Sequence, residues 1–218
     1  MVESHKITVQ KTAHYYTLGK PSKSIKYCWF ICHGYGQLAE NIIHKFDDLD
    51  TSEHLIIAPD ALNRFYWQGV TGQVASSWMT KKDRLDEIDD YANYLTQIYE
   101  HFIPQLSPDV QINLFGFSQG VATQFRWMMD KLLPFHHLIL WAGFVPEDLD
   151  YSQHLDYFST KKLTFLYGDN DRFLTPKRLA WHKKMVAEKG LVFDEIPFEG
   201  KHVVDRDILK ELGQKICK

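Results

Sequence analysis

Gln111-Ile112-Asn113-Leu114-Phe115-Gly116-Phe117-Ser118-Gln119-Gly120-Val121-Ala122-Thr123 is the stretch on which the reading of this chain turns. Its first half reads as a strand: Ile112, Leu114 and Phe115 are apolar, and Pro108 and Asp109 bound the run upstream. Its second half reads as a helix, because Val121, Phe125, Met128 and Met129 recur at roughly helical spacing. Between them lies Gly116-Phe117-Ser118-Gln119-Gly120, a G-x-S-x-G pattern at a strand-to-helix junction. A turn that sharp holds a serine in strained backbone geometry, and the flanking glycines remove β-carbons that would collide. The serine oxygen then stands above the sheet, with N–H groups of the helix start directed toward it. The pattern alone also fits a glycine-flanked turn with a solvent-facing serine. A base, an acid and oxyanion donors must therefore come from the rest of the chain.

Composition narrows the class before it names any chemistry. The 218 residues are 44% hydrophobic and 24% charged, with a net charge of −3, as in an ordinary globular protein. One domain spanning residues 1–218 is expected, and a chain of that length hides about 70% of its unfolded surface. Neither a basic stripe nor an acidic tail points to nucleic acid or a charged membrane surface. Met1-Val2-Glu3-Ser4-His5-Lys6 opens without an apolar run, so no secretory leader is expected, and no stretch approaches a membrane span. The cysteines are Cys28, Cys32 and Cys217. Cys28 and Cys32 sit in an apolar run, where free cysteine behaves as a small buried hydrophobe. An odd count without a leader predicts free thiols and a cytoplasmic location. No C-x-x-C or H-E-x-x-H spacing occurs, so neither a metal nor a cofactor is expected.

In chain order, Ile7 to Leu18 reads as an opening strand or two, and Ile25 to Cys32 as a strand buried on both faces. Helix-like spacing follows from Ala39 to Leu49, then a second buried strand from His54 to Pro59. Residues 61–80 are too rich in Gly, Ser and Thr for a regular element, so a loop is expected. Thr80 with Asp83 reads as a weak capping box for a long helix. That helix carries Leu85, Ile88, Tyr91, Ala92, Leu95, Ile98, Tyr99 and Phe102 on one face and stops at Pro104. Beyond the central stretch come strands at Leu138–Trp141, Leu163–Tyr167 and Leu191–Phe198. A helix with Pro176 in its first turn runs to about Glu188, and a closing helix spans Asp205 to about Ile216. Alternating strands and helices, with continuous apolar strands, predict an α/β protein: a mostly parallel sheet covered by helices on both faces.

Ligands of open α/β sheets bind outside the carboxyl ends of the strands. Those ends here read His33-Gly34-Tyr35-Gly36, Asp60, Ser118, Gly143, Asp171 and His202, and Ser…Asp…His is the chain order used by α/β-hydrolases. With His33-Gly34-Tyr35-Gly36, the serine elbow, Gly168-Asp169-Asn170-Asp171 ahead of Pro176, and Glu199-Gly200-Lys201-His202, the chain resembles the phospholipase/carboxylesterase group of α/β-hydrolases. That group includes the acyl-protein thioesterases. The matching motifs run from near residue 25 to the end. Two departures stand out: Val121 occupies a position where the group usually has a second glycine, and the Asp171–Pro176 interval is one residue longer than expected.

The resemblance implies Ser118 as nucleophile, His202 as base and Asp171 as orienting acid, in an α/β-hydrolase fold without a large cap domain. Chemistry asks for the same residue types. A serine hydroxyl attacks only if an imidazole takes its proton, and a carboxylate must then hold that imidazole's tautomer. The oxyanion donors are assigned to the backbone N–H groups of Gln119 and Tyr35. Asp169 competes with Asp171, although it could bond its own turn, and Asp60 beside Pro59 reads as a turn residue. His33 is expected to be buried, shaping the oxyanion turn. Phe65, Tyr66 and Trp67, with Trp78 and Met79, fall on the active edge as candidate pocket walls, as do Phe144 and Val145. A self-packed aromatic loop is the plainer alternative for them.

The expected activity is serine hydrolysis of carboxylic esters or thioesters through an acyl-enzyme, on short to medium acyl groups in an open groove, with a small molecule as the partner. Lysophospholipids or long acyl thioesters form the second substrate class, and a non-catalytic ligand-binding scaffold is the reading from a different class. Monomer and dimer both fit the sequence.

Overall fold

A computed structural model describes residues 1–216. Cys217, expected to be a free thiol, lies outside the described residues. A seven-stranded sheet forms the frame, built from β1 (Tyr15–Leu18), β2 (Tyr27–Cys32), β3 (His54–Pro59), β6 (Gln111–Phe117), β7 (His137–Trp141), β8 (Lys162–Gly168) and β9 (Asp194–Phe198). They lie in the order β1-β3-β2-β6-β7-β8-β9. All neighbours run parallel except β1, which pairs antiparallel with β3. The strand order reverses between β2 and β6, so their carboxyl ends flank the switch-point crevice.

Strands β2, β3 and β7 are buried along their whole length, which is why they read as unbroken apolar runs. Alternate side chains feed two cores. Cys28, Phe30, Leu114 and Leu140 face α2 (Arg84–Phe102), α3 (Gln119–Lys131) and α5 (Pro176–Glu188). Trp29, Ile31, Phe115 and Trp141 face α1 (Ala39–Ile42) and α6 (Arg206–Ile216) on the other side. Helix α5 opens as its proline suggests, with Thr175 as N-cap accepting the N–H of Arg178. A short helix α4 (Leu155–Ser159) lies between β7 and β8. Among the described residues no helix is long and apolar enough to cross a membrane.

Several expectations need correction. Residues 61–80 hold an antiparallel hairpin, β4 (Asn63–Tyr66) and β5 (Val74–Ser77), in the register Asn63↔Ser77 and Phe65↔Ala75. Composition hid it because Ser76 and Ser77 are buried polar residues whose hydroxyls are donated to the carbonyls of Gln37 and Met79. The glycines sit instead in the connection, where Gly69 and Gly72 take φ of 102° and 99°. Thr80 does not cap α2, which begins at Arg84 behind Asp83; its N–H and hydroxyl are donated to Glu87 one turn inside the helix. Leu85 is exposed rather than on the apolar face. The 39–49 segment divides into α1 and a 3₁₀ turn, Ile43–Phe46. Only Tyr15–Leu18 of the opening segment is strand, and β9 starts at Asp194.

Candidate active site

Ser118 is the residue between β6 and α3, with φ 53° and ψ −113°, outside the regions open to most L-residues. The turn survives because its neighbours have no side chains in the way. A β-carbon on Gly116 would lie 2.5 Å from the Gly120 carbonyl oxygen and 2.6 Å from Val121 Cα. One on Gly120 would run into the Cys32 carbonyl, at the end of β2. The Ser118 N–H is donated to Trp141 O at 2.9 Å, which locks the elbow to β7. Val121 fits without a second glycine because Gly143, facing it, has none of the bulk that would meet its Cγ2.

His202 follows β9 and Asp171 follows β8, and the two strands are neighbours. His202 Nε2 lies 3.0 Å from Ser118 Oγ, and its Nδ1 lies 2.6 Å from Asp171 Oδ2. Asp171 is buried, and its other oxygen accepts the N–H groups of Phe173 at 2.8 Å and Leu174 at 3.3 Å. A carboxylate so ringed by donors can only accept, so the imidazole presents Nδ1–H to it and a free lone pair on Nε2 to the serine. The rings of Phe117 and Phe173 stand 4.9 and 4.7 Å from that imidazole. The Val203 carbonyl beside it accepts the Trp141 indole N–H. Asp169 goes elsewhere: its Oδ1 accepts Gly200 N–H at 3.0 Å, tying the two loops together.

The turn after β2 supplies the other half of the crevice. Gly34 N–H is donated to Gln37 Oε1, Gly36 N–H to Ser76 O, and the backbone N–H of Tyr35 has no partner among the described residues. The N–H of Gln119 is likewise unpartnered at the first position of α3. His33 is fully buried beneath. Its Nε2 accepts the Ala61 N–H, which leaves Nδ1–H to donate to Gly34 O. Burial holds its pKa below the ordinary histidine value. Asp60 is also structural, accepting Ala39 N–H at 2.6 Å at the start of α1 and pairing with Arg64 at 2.7 Å.

The expected pocket walls divide. Tyr35, Phe65 and Trp67 cluster beside the turn after β2, with centroids 5.4 to 6.2 Å apart, and Trp67 lies against Gly36. Tyr66 is exposed on the opposite face of β4 from Phe65. Phe144 is partly buried between Trp181 and His182, and Met79 is half-buried against the core. Trp78 is a correction: it is 1% exposed, and its indole N–H is donated to His33 O at 2.9 Å. It supports the turn from below and offers no surface to a ligand. Val145 is buried as well, with its N–H donated to His182 Nε2.

Sequence reasoning missed the clamp that holds these parts together. The Gln119 side chain accepts Trp78 N–H and donates to Met79 O, so one residue joins elbow and hairpin. A polar side chain directly after Ser118 was the available signal. Phe173 was missed too, and it lies in the Asp171–Pro176 interval, which is one residue longer than expected. Two cavities of about 410 and 390 Å³, by contrast, open at the amino ends of the strands, away from Ser118.

No curated protein matches this chain in sequence. Solved structures do match in fold. Acyl-protein thioesterase 2 of Zea mays superposes with a TM-score of 0.69 at 14% identity, over 94% of this chain and 98% of its own. A phospholipase/carboxylesterase from Dyadobacter fermentans gives 0.66 at 18%, over 97% and 99%, and a carboxylesterase from Mesorhizobium loti gives 0.68 at 15%, over 92% and 93%. The resemblance read from the motifs is thus borne out in the architecture, which is the α/β-hydrolase fold. A family model described as Serine hydrolase (FSH1) matches residues 31–207. The chain is a member of that serine hydrolase family.

Proposed function

We propose that this serine hydrolase is a single-domain enzyme that cleaves carboxylic esters and thioesters of short to medium acyl groups through an acyl-enzyme on Ser118. The observation that carries the reading is the continuous hydrogen-bonded line from Ser118 Oγ through His202 to Asp171, at 3.0 and 2.6 Å. His202 Nε2 takes the hydroxyl proton as Ser118 Oγ attacks the acyl carbon, and buried Asp171 stabilises the imidazolium. The N–H groups of Gln119 and Tyr35 receive the charge on the tetrahedral oxygen, where one donor is worth about 10²–10³ in rate. His202 then returns the proton to the leaving alcohol or thiol. A water, deprotonated by the same nitrogen, releases the acid. The absence of any large insertion between the elements supports an open groove. The buried free thiols Cys28 and Cys32 support a reducing, cytoplasmic setting.

A longer acyl chain is the second reading, favoured by the half-exposed Tyr35 and Trp67 beside the oxyanion turn. The dependence of kcat/KM on acyl length separates the two, since each buried methylene is worth about 1–3 kcal/mol. A serine-directed phosphonate is expected to label Ser118, and Ser118→Ala to lose both the label and p-nitrophenyl ester turnover. Labelling that survives the substitution would reassign the nucleophile. Tight ligand binding without turnover across an ester panel would favour a scaffold role instead.

A further inference from the structure

The segment running from β8 into α5 carries arginines that no carboxylate among the described residues neutralises. Arg172 places its guanidinium 4.7 Å from the centre of the Phe173 ring, and that ring stands 4.7 Å from His202. Arg178, two residues into α5, lies 5.1 Å from the centre of the Phe144 ring and donates Nη1–H to Phe173 O at 2.8 Å. Phe144 in turn follows Gly143, whose Cα faces the Ser118 backbone. Both arginines are exposed, as is Lys201 next to His202, and none has a carboxylate partner among the described residues. The nearby aspartates are committed, Asp171 to His202 and Asp169 to Gly200 N–H.

Elsewhere in the molecule arginines are paired: Arg64 with Asp60, Arg126 and Arg84 with Asp148, Arg206 with Asp47. An overall charge of −3 makes unpaired guanidiniums at the mouth of the crevice harder to explain as general surface. Stacking on a ring orients a guanidinium while leaving its in-plane donors free, and that planar fork matches a carboxylate or phosphate.

We propose that Arg172 and Arg178 are specificity-determining residues that bind an anionic group carried by the substrate beyond its scissile bond. This inference rests on the hydrolase reading of Ser118. The shared chemistry is an anion, on the acyl side as the free carboxylate of a dicarboxylic hemiester or on the leaving group as the phosphates of a thioester carrier. Cleavage is unchanged: water adds to the acyl carbon, and the alcohol or thiol departs with the proton from His202.

Two matched pairs test it. One compares the p-nitrophenyl monoester of glutaric acid with neutral p-nitrophenyl pentanoate; the other compares butyryl-coenzyme A with the butyryl thioester of N-acetylcysteamine. The wild-type enzyme is expected to favour the anionic member of one pair by about ten-fold in kcat/KM, as one or two charge-assisted hydrogen bonds would give. The pair that responds locates the anion. Raising the salt concentration should shrink the preference, Arg172→Gln and Arg178→Gln should each bring it toward parity, and Arg172→Lys should keep part of it. Parity in both pairs with the wild-type enzyme, or a preference that survives both glutamine substitutions, overturns the inference while leaving the hydrolase intact. If none of the four is turned over and Ser118 takes no phosphonate, the hydrolase reading fails and this inference falls with it.

Discussion

The two walls of the crevice are built to different rules. Beside the turn after β2, Tyr35, Phe65 and Trp67 form a wall of rings carried on that turn and the β4–β5 hairpin, and beneath it the polar side chains are paired. His33, Gln37, Ser76, Trp78 and Gln119 bond one another and the backbone, and Arg64 nearby is paired with Asp60. Beside His202, Phe173 and Phe144 form a second wall, but two arginines lie on those rings with donors still open. One wall is apolar over a satisfied polar scaffold; the other is apolar with unsatisfied charge on top. Satisfied groups fix geometry, because each lost partner would strand a buried donor or acceptor at about 1–3 kcal/mol. Unsatisfied surface groups cost little alone and are free to recognise a ligand. The first wall should therefore govern rate through the shape of the turn, and the second should govern choice of substrate.

The largest effect is expected at Asp171, which holds His202 beside the second wall. Asp171→Asn keeps the size of the side chain but removes the obligate acceptor for His202 Nδ1–H. We expect kcat to fall by about 10⁴-fold with the melting temperature little changed. A loss below about ten-fold in steady-state kinetics would mean that Asp171 does not orient the histidine.

A smaller effect is expected in stability against pH, from buried histidines outside the triad. His182 accepts Val145 N–H, and burial brings its pKa down from the ordinary 6.5 to about 4; His137 is brought down to about 3, and His33 is lowered too. The unfolded chain takes up these protons near 6.5 while the fold still refuses them. Their contribution is therefore complete above pH 6.5 and disappears as pH falls toward 4. For His182 alone the loss is on the order of 3 kcal/mol. Urea titrations from pH 7.5 to 4.5 should show it, and His182→Gln should flatten the slope. A midpoint indifferent to pH over that range would contradict the burial argument.

The finest test sets one tryptophan against another. Trp78→Phe removes the donor to His33 O and should lower kcat by about ten-fold for every ester alike. Trp67→Ala, on the exposed wall, should raise KM for longer acyl chains by about ten-fold or less and leave acetate esters nearly untouched. If both substitutions gave the same chain-length pattern, scaffold and wall would not be distinct.

Much of this was legible along the chain because the decisive signals are local. The elbow is read from Gly116, Ser118 and Gly120, since backbone crowding at a strand-to-helix turn admits few other residues. The buried strands are legible because a parallel sheet covered on both faces turns each strand into an apolar run. Where local signals misled, a distant partner had reversed their meaning. Ser76 and Ser77 looked like loop residues until the Gln37 and Met79 carbonyls arrived to bury them. Trp78 looked like a pocket wall until His33 offered it an acceptor. Thr80 found its partner in Glu87 instead of Asp83.

The sequence by itself determined the fold class, the position of the strained serine and the order in which serine, acid and histidine follow one another, because those depend on residue type at short range. Only the tertiary structure decided which aspartate meets His202, which aromatic rings face the crevice and which arginines are left unpaired. Those outcomes depend on side chains brought from strand ends dozens of residues apart, where a single hydrogen bond to a distant backbone group can send Asp169 one way and Asp171 the other.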